Sequence, residues 1–103
     1  MEKVLKKFMQ GFLQFHILYH AKDAAFYGSW MINELEQHGY DLSPGTLYPV
    51  LHSLEESGLL VKSDKVEFGK IRKYYSITDA GVKVLYNVRD KITEFVKEME
   101  EKI

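Results

Sequence analysis

The stretch LSPGTLYPVLHSLEESGLL, from Leu42 to Leu60, decides how the rest of the chain is interpreted. Ser43 before Pro44 is typical of a helix start, because a serine oxygen can accept a hydrogen bond from a free backbone N–H and proline lacks an N–H that has no partner there. Four apolar residues then recur with the helical period: Leu47, Val50, Leu51 and Leu54. Gly58 favours the left-handed conformation that ends a helix. The stretch therefore predicts an amphipathic helix.

The predicted helix contains Pro49 and carries no Lys or Arg. The proline leaves the carbonyl of Gly45 without its helical hydrogen bond, a cost of up to about 3 kcal/mol in a helix interior. Small and hydroxyl-bearing residues lie opposite the apolar face, where they can approach phosphates and bases closely. The candidate DNA contacts are Ser43, Thr46, Tyr48, Pro49, His52 and Ser53. An ordinary solvated face is the alternative, and residue types alone do not identify base contacts.

The residues after this helix predict a β-hairpin. LLVKSDKV (residues 59–66) and KIRKYYSIT (residues 70–78) alternate as strands do, and EFG joins them. Residues 62–73 include five basic and two acidic residues, a net charge of +3, although the whole chain has a formal charge of −1. The candidate DNA contacts here are Lys70, Arg72, Lys73 and Tyr74. The alternative is a basic hairpin that contributes only to solubility. We expect Tyr75 and Ile77 to pack in the core.

The residues before the quoted stretch predict two further helices. Apolar residues recur with helical spacing from about Glu2 to His20. After a connector, Ser29 is the expected cap of a second helix, WMINELEQH, which Gly39 ends. We expect Trp30 to lie in the core, the alternative being the wall of a ligand pocket.

Thr78 is the expected cap of a last helix, which runs from Asp79 to about Lys102. Its apolar residues are spaced alternately three and four apart, as in a heptad seam that needs a partner helix. A second copy of the chain is the simplest partner, and the first helix carries large apolar residues that also need cover. The candidate dimer-interface residues are Phe8, Phe12, Leu85, Val88, Ile92, Phe95 and Met99.

The order of elements predicts a mainly α fold with a small β-hairpin: a winged helix-turn-helix with an added C-terminal dimerisation helix. LSPGTLYPVLHSLEESGLL followed by GKIRKYYSITDAG resembles the PadR family of transcriptional regulators over residues 28–81. The chain is similar to the shorter branch with a single C-terminal helix. It has Gly28, Ser29 and Trp30 where relatives commonly carry a glycine-tyrosine pair followed by a polar residue, and Ile71 replaces a frequent wing proline.

The resemblance implies a homodimeric DNA-binding repressor, which in some relatives a small molecule releases from DNA. We therefore expect a near-palindromic operator and a small hydrophobic or aromatic effector, and the absence of cysteine favours the cytoplasm. Residues 1–78 would form the DNA-binding domain, with the first helix shared with the dimer interface, and residues 79–103 the dimerisation helix. The alternative from another class is a winged-helix module that binds a protein and not DNA, which the lack of basic residues on the predicted helix favours. Double-stranded DNA is the expected partner, and no operator sequence can be read from the chain.

Several classes of site are excluded or disfavoured. The chain has no cysteine, which excludes disulfides and cysteine-based zinc sites. No apolar run reaches the roughly 18 residues of a membrane span. His16 and His20 are four residues apart, but no motif provides a third ligand, so we expect an ordinary pair of histidines, no metal and no cofactor. No phosphate loop or activated nucleophile can be assembled, so we expect no enzyme.

Overall fold

A computed structural model describes residues 1–102 and contains four helices and one two-stranded antiparallel sheet. In chain order the elements are α1 (Glu2–Ala21), α2 (Gly28–Glu36), α3 (Pro44–Glu56), β1 (Leu60–Glu67), β2 (Lys70–Ile77) and α4 (Asp79–Lys102). The predicted mainly α fold with a small hairpin is confirmed. Residue 103, the last of the predicted dimerisation helix, lies outside the described residues.

Helix α3 begins and ends where the sequence predicts. Ser43 is the N-cap with extended backbone, Pro44 follows as the first helical residue, and the helix continues through Pro49 without a break. Gly58 has a φ of +78° and ends it. The predicted reason for the start is wrong in one respect, since the Ser43 side chain caps no backbone N–H and its Oγ lies 3.2 Å from Thr46 Oγ1 instead.

Helix α2 begins two residues earlier than predicted, at Gly28 and not at Trp30, so Ser29 lies inside the helix and is not its cap. Tyr27 is the N-cap, and it makes no side-chain hydrogen bond to the helix. The preceding residue, Phe26, pairs with β2 instead: its N–H donates to the carbonyl of Tyr75 at 3.0 Å, and Tyr75 N–H donates to the carbonyl of Phe26 at 2.8 Å. This tertiary pairing fixes the start of α2 beside the hairpin.

The hairpin has a tighter turn than predicted. Glu67 belongs to β1 and pairs with Lys70, so only Phe68 and Gly69 form the turn. Their φ angles are +52° and +75°, as in the primed turns whose twist matches that of paired strands. The hairpin's outer part extends away from the core, with Ile71 exposed opposite Val66.

One apolar core joins the elements. Its buried side chains are Leu13, Ile17, Leu18, Ala21, Phe26, Met31, Leu35, Leu47, Leu51, Leu54, Leu60, Tyr75 and Leu85. Tyr75 lies in the core as expected, and Ile77 packs partly buried against it. Trp30 does not lie in the core, because it is 40% exposed at the start of α2.

Thr78 caps α4 as predicted, since its Oγ1 accepts a hydrogen bond of 3.0 Å from Gly81 N–H. The same hydroxyl donates to the carbonyl of Gly58 at 2.6 Å and thereby links the start of α4 to the end of α3. Helix α4 then extends beyond the core, and the described residues span 57 × 30 × 22 Å. The fold therefore presents two extensions, the hairpin and the far half of α4.

Candidate nucleic-acid interface

The predicted contact face of α3 is entirely on the surface. Ser43, Thr46, Tyr48, Pro49, His52 and Ser53 are all exposed, whereas Leu47, Leu51 and Leu54 are buried on the opposite side. The hydrophobic pattern alone sets this orientation, because burying the leucines turns the small and hydroxyl-bearing residues outward. The face is uncharged along most of its length, and its acidic residues lie at the C-terminal end.

His52 lies at that acidic end. Its Nε2 is 3.0 Å from Glu56 Oε1, and its Nδ1 is 3.7 Å from Glu55 Oε1. The two carboxylates repel phosphates and compete for the imidazole. The half of α3 that begins at Ser43 is therefore the more suitable half for a polyanion, since a helix N-terminus also attracts phosphate.

A cleft of about 300 Å³ joins three elements. Tyr48 contributes from α3, Gly28 and Ser29 from the start of α2, and Arg72 and Lys73 from β2. The first backbone N–H groups of α2 have no acceptor within the helix, as at every helix start, and no side chain caps them. Helix N-termini of this kind can hold anions. Hydroxyls, free N–H groups and two cations therefore line one opening, which suits a phosphate group.

Gly28 makes room for Tyr48 in this cleft. A Cβ built on Gly28 would collide with the Tyr48 hydroxyl and lie 2.6 Å from its Cζ. The phenol ring of Tyr48, 43% exposed, thus lies directly against the start of α2. Sequence reasoning missed this part of the site, because residues 27–29 signal only a helix start and their proximity to α3 and β2 is a tertiary effect.

Arg72 is positioned by its neighbours on the hairpin. Its guanidinium lies 4.2 Å from the centre of the Tyr27 ring, and its Nη1 is 3.8 Å from Glu67 Oε2. The stacking on an aromatic face orients the guanidinium, while the exposed ion pair contributes little stability. Among the described residues Lys70 and Lys73 make no ion pair within 4.0 Å. The three cations are therefore not equivalent.

Tyr74 is held within the hairpin. Its hydroxyl donates a hydrogen bond of 2.5 Å to Glu67 Oε1, and its ring meets that of Tyr27 edge-on at 5.6 Å between centres. The hydrogen bond to Glu67 raises the pKa of Tyr74, so the hydroxyl remains protonated. The side chain serves the internal structure of the wing, and Glu67 occupies its hydroxyl.

An apolar groove of about 520 Å³ runs between α1 and α4 on another side of the molecule. Its walls include Phe8, Phe12, Val88, Ile92, Phe95 and Met99, six of the seven predicted interface residues. Phe8 and Phe95 are 63% and 59% exposed. Leu85, the seventh, does not line this groove and is buried in the chain's own core.

Three histidines from two parts of the chain meet beside α1. His16 and His20 share one face of α1, and His38 lies in the turn after α2; one ring nitrogen from each lies within 4.8 Å of the others. Burial, followed by the charges of His20 and His38, lowers the pKa of His16, and burial lowers the pKa of His20. The sequence offered only two candidate ligands, and the structure adds a third.

The turn between α2 and α3, with a hairpin beside α3, defines the chain as a winged helix-turn-helix protein. It belongs to the PadR-like family of transcriptional regulators, because the sequence pattern described as "Transcriptional regulator PadR-like family" matches residues 17–87. The resemblance noted from the sequence is thereby confirmed. So is the expectation that the chain is not an enzyme, since the family is one of transcriptional regulators.

Individual relatives agree with the family. The chain is 42% identical over 95 residues to the transcriptional regulator Rv3488 of Mycobacterium tuberculosis, covering 92% of this chain and 89% of that protein. It is similar to a PadR-like transcriptional regulator from Bacillus cereus, with 28% identity, a TM-score of 0.83, and coverage of 92% of this chain and 94% of the other. A PadR family regulator from Eggerthella lenta gives 28% identity and a TM-score of 0.82 over 97% and 88% of the two chains.

No helix within residues 1–102 combines the length and apolar character needed to cross a membrane.

Proposed function

We propose that this regulator binds duplex DNA in a sequence-specific manner through α3, the start of α2 and the hairpin wing. The observation that carries the proposal is the shared cleft, in which Tyr48, Ser29, Arg72 and Lys73 come together from three elements. One DNA strand following this opening would meet hydroxyls, unpaired N–H groups and cations in succession. These are the groups that hold phosphate oxygens in protein–DNA complexes.

The two parts of the proposed interface, α3 and the wing, have different roles. In the proposal α3 enters the major groove with Ser43, Thr46, Tyr48 and Pro49 toward bases and nearby phosphates, while His52 and Ser53 lie at its margin. The wing supplies affinity through Lys70, Arg72 and Lys73, with Tyr74 as their support. The lack of basic residues on α3 is then compatible with DNA binding, because phosphate affinity comes from outside the recognition helix.

We further propose a homodimer formed through the groove between α1 and α4. Exposed Phe8 and Phe95 support it, since a groove this apolar is unusual on a monomer surface. Residues 1–78 would then form the DNA-binding unit and residues 79–103 the dimerisation helix. A two-fold dimer presents two copies of α3, so its operator would be nearly palindromic.

Repression in the cytoplasm is the form of regulation proposed, with release by a small hydrophobic or aromatic effector. A cavity of about 340 Å³ beside the groove, lined by Phe15, Tyr19 and Tyr86 among others, offers an aromatic surface for such a ligand. Because this cavity lies between α1 and α4, a ligand there would act through the spacing of the two copies of α3. Loss of operator affinity on adding planar aromatic compounds would test this part.

Fluorescence anisotropy on duplexes selected from random DNA tests the DNA-binding proposal. Affinity should fall steeply as salt rises, and Lys73→Ala should weaken binding about equally on all sequences while reducing the salt slope by about 1. Thr46→Ala should instead alter which sequences are selected. Lys97→Ala, on the exposed part of α4, removes the same charge outside the interface. It should change neither the affinity with its salt slope nor the selected sequences.

Absence of binding to every duplex at low salt, including the DNA upstream of the protein's own gene, would refute the proposal. Capture of a protein partner that survives nuclease treatment, together with that absence, would favour the interaction-module alternative.

A further inference from the structure

We infer that His16, His20 and His38 form a binding site for a borderline divalent transition-metal ion such as Zn²⁺. One ring nitrogen from each histidine lies within 4.8 Å of the others. Three imidazoles are a donor set that suits Zn²⁺, Co²⁺, Ni²⁺ and Cu²⁺ and not Mg²⁺ or Ca²⁺, which prefer oxygen. The inference goes beyond DNA binding and does not depend on it.

The local structure explains why the three side chains converge. His16 and His20 are one helical turn apart on α1, so they project from the same face. His38 comes from the turn at the end of α2, where Gly39 adopts a φ of +88° and reverses the chain. This reversal brings His38 against α1, which helical spacing alone could not predict.

The neighbouring groups leave one ring nitrogen on each of His16 and His20 available to a metal ion. Nδ1 of His20 lies 3.8 Å from Glu34 Oε1, and Nδ1 of His16 lies 3.4 Å from the Tyr40 hydroxyl. Metal-binding histidines commonly turn one nitrogen toward such a carboxylate or hydroxyl, which fixes the ring and leaves the other nitrogen for the metal.

The remaining nitrogen of His20 is an independent indication. Its Nε2 is buried and has no hydrogen-bond partner in the described part of the chain. A buried polar atom without a partner is rare and calls for a ligand, an ion or water. A metal ion bound by the three histidines would satisfy it.

The distances are within reach of a bound ion. A tetrahedral Zn²⁺ with bonds of about 2.05 Å places its ligand atoms roughly 3.3 Å apart. His38 is exposed and lies in a turn, so rotation of its side chain can close the difference. Three protein ligands leave a fourth position for water. The ion would connect α1 to the turn between α2 and α3.

Titration of the tag-free, full-length protein with Zn²⁺ and Co²⁺ tests the inference, with calorimetry for stoichiometry and Co²⁺ absorption for coordination. We expect one ion per chain and no binding of Mg²⁺. His38→Gln should weaken Zn²⁺ binding more than about 100-fold, since removing even an outer partner of a ligand costs about 10–100-fold. Glu34→Gln, which removes such a partner, should fall within that lower range.

His52→Gln is the matched control. His52 also lies near two carboxylates, but on the exposed surface of α3, and its loss should leave the stoichiometry and affinity unchanged. Zn²⁺ at about 100 times its Kd should raise the Tm of the wild type and of His52→Gln by roughly 10 °C and that of His38→Gln by no more than about 2 °C.

Because His38 is exposed, the Tm of metal-free His38→Gln should equal that of the metal-free wild type, which separates loss of the site from loss of the fold. Binding of less than one ion per chain by the wild type, or equal binding by His38→Gln and the wild type, would overturn the inference.

Discussion

Two hydroxyl residues at helix starts look alike in sequence and differ in what they contact. Thr78 Oγ1 accepts from Gly81 N–H at 3.0 Å and donates to the carbonyl of Gly58 at 2.6 Å. Ser43 Oγ makes no hydrogen bond to the backbone of α3, and among the described residues its hydrogen-bond partner is Thr46 Oγ1 alone. Thr78 therefore joins two helices, whereas Ser43 remains available to an outside partner.

Thr78→Ala should lower the free energy of unfolding by about 1–2 kcal/mol, because it removes a cap and leaves a carbonyl without its donor. Ser43→Ala, at the equivalent position of α3, should cost about 0.5 kcal/mol or less. Urea denaturation followed by circular dichroism measures both. Thr78→Ser keeps the hydroxyl and should retain most of the unfolding free energy that Thr78→Ala loses. Equal losses of unfolding free energy in Thr78→Ala and Ser43→Ala would show that the Thr78 contacts contribute nothing beyond the cap position.

At the scale of single elements, Pro49 imposes a stability cost on α3 that the helix tolerates. The helix is continuous from Pro44 to Glu56, yet the proline cannot donate to the Gly45 carbonyl. The ring lies on the exposed face, where it fills no part of the core. A residue that weakens its own helix and lies outside the core is expected to act on a partner.

Pro49→Ala should therefore raise the free energy of unfolding by about 1–3 kcal/mol and lower the affinity for a selected duplex by roughly tenfold. Denaturation and anisotropy on the same preparation measure the two effects. Ser53→Ala, on the same exposed face, should change stability by less than about 0.5 kcal/mol. A more stable Pro49→Ala variant with unchanged DNA affinity would remove Pro49 from the proposed interface.

The elements themselves could be predicted closely because their signals are local. The leucine spacing of α3, the alternation of the hairpin and the cap of α4 each depend on neighbouring residues. Trp30 was misplaced, and the burial of Leu85 in the core was not foreseen, because burial depends on which other elements cover a residue, which no local pattern contains. The candidate site divides in the same way: the exposed face of α3 follows from periodicity, whereas the participation of Ser29 and the position of His38 follow from tertiary contacts.

At the scale of the whole molecule, the cleft that contains the cations and the apolar groove lie on different surfaces. The cleft near Tyr48 and Arg72 has two cations and several hydroxyls among its walls, while the groove near Phe8 and Phe95 is lined almost wholly by apolar side chains. Both surfaces border the same core, so contact between two copies would fix the separation of their two clefts. In the proposed dimer, this arrangement would make dimer formation a requirement for tight binding to a two-part operator.

Phe95→Asp should convert the proposed dimer to a monomer, because it places a charge in the centre of the apolar groove. Size-exclusion chromatography with light scattering should give the mass of one chain in place of two, and operator affinity should fall at least about 100-fold with the loss of paired contacts. Phe68→Asp is the matched control: Phe68 is fully exposed at the wing turn, where its φ of +52° suits aspartate, and its replacement should leave the mass unchanged. A wild-type protein with the mass of one chain at every concentration tested would refute the dimer, whereas loss of the dimer in both variants would place part of the interface at the wing.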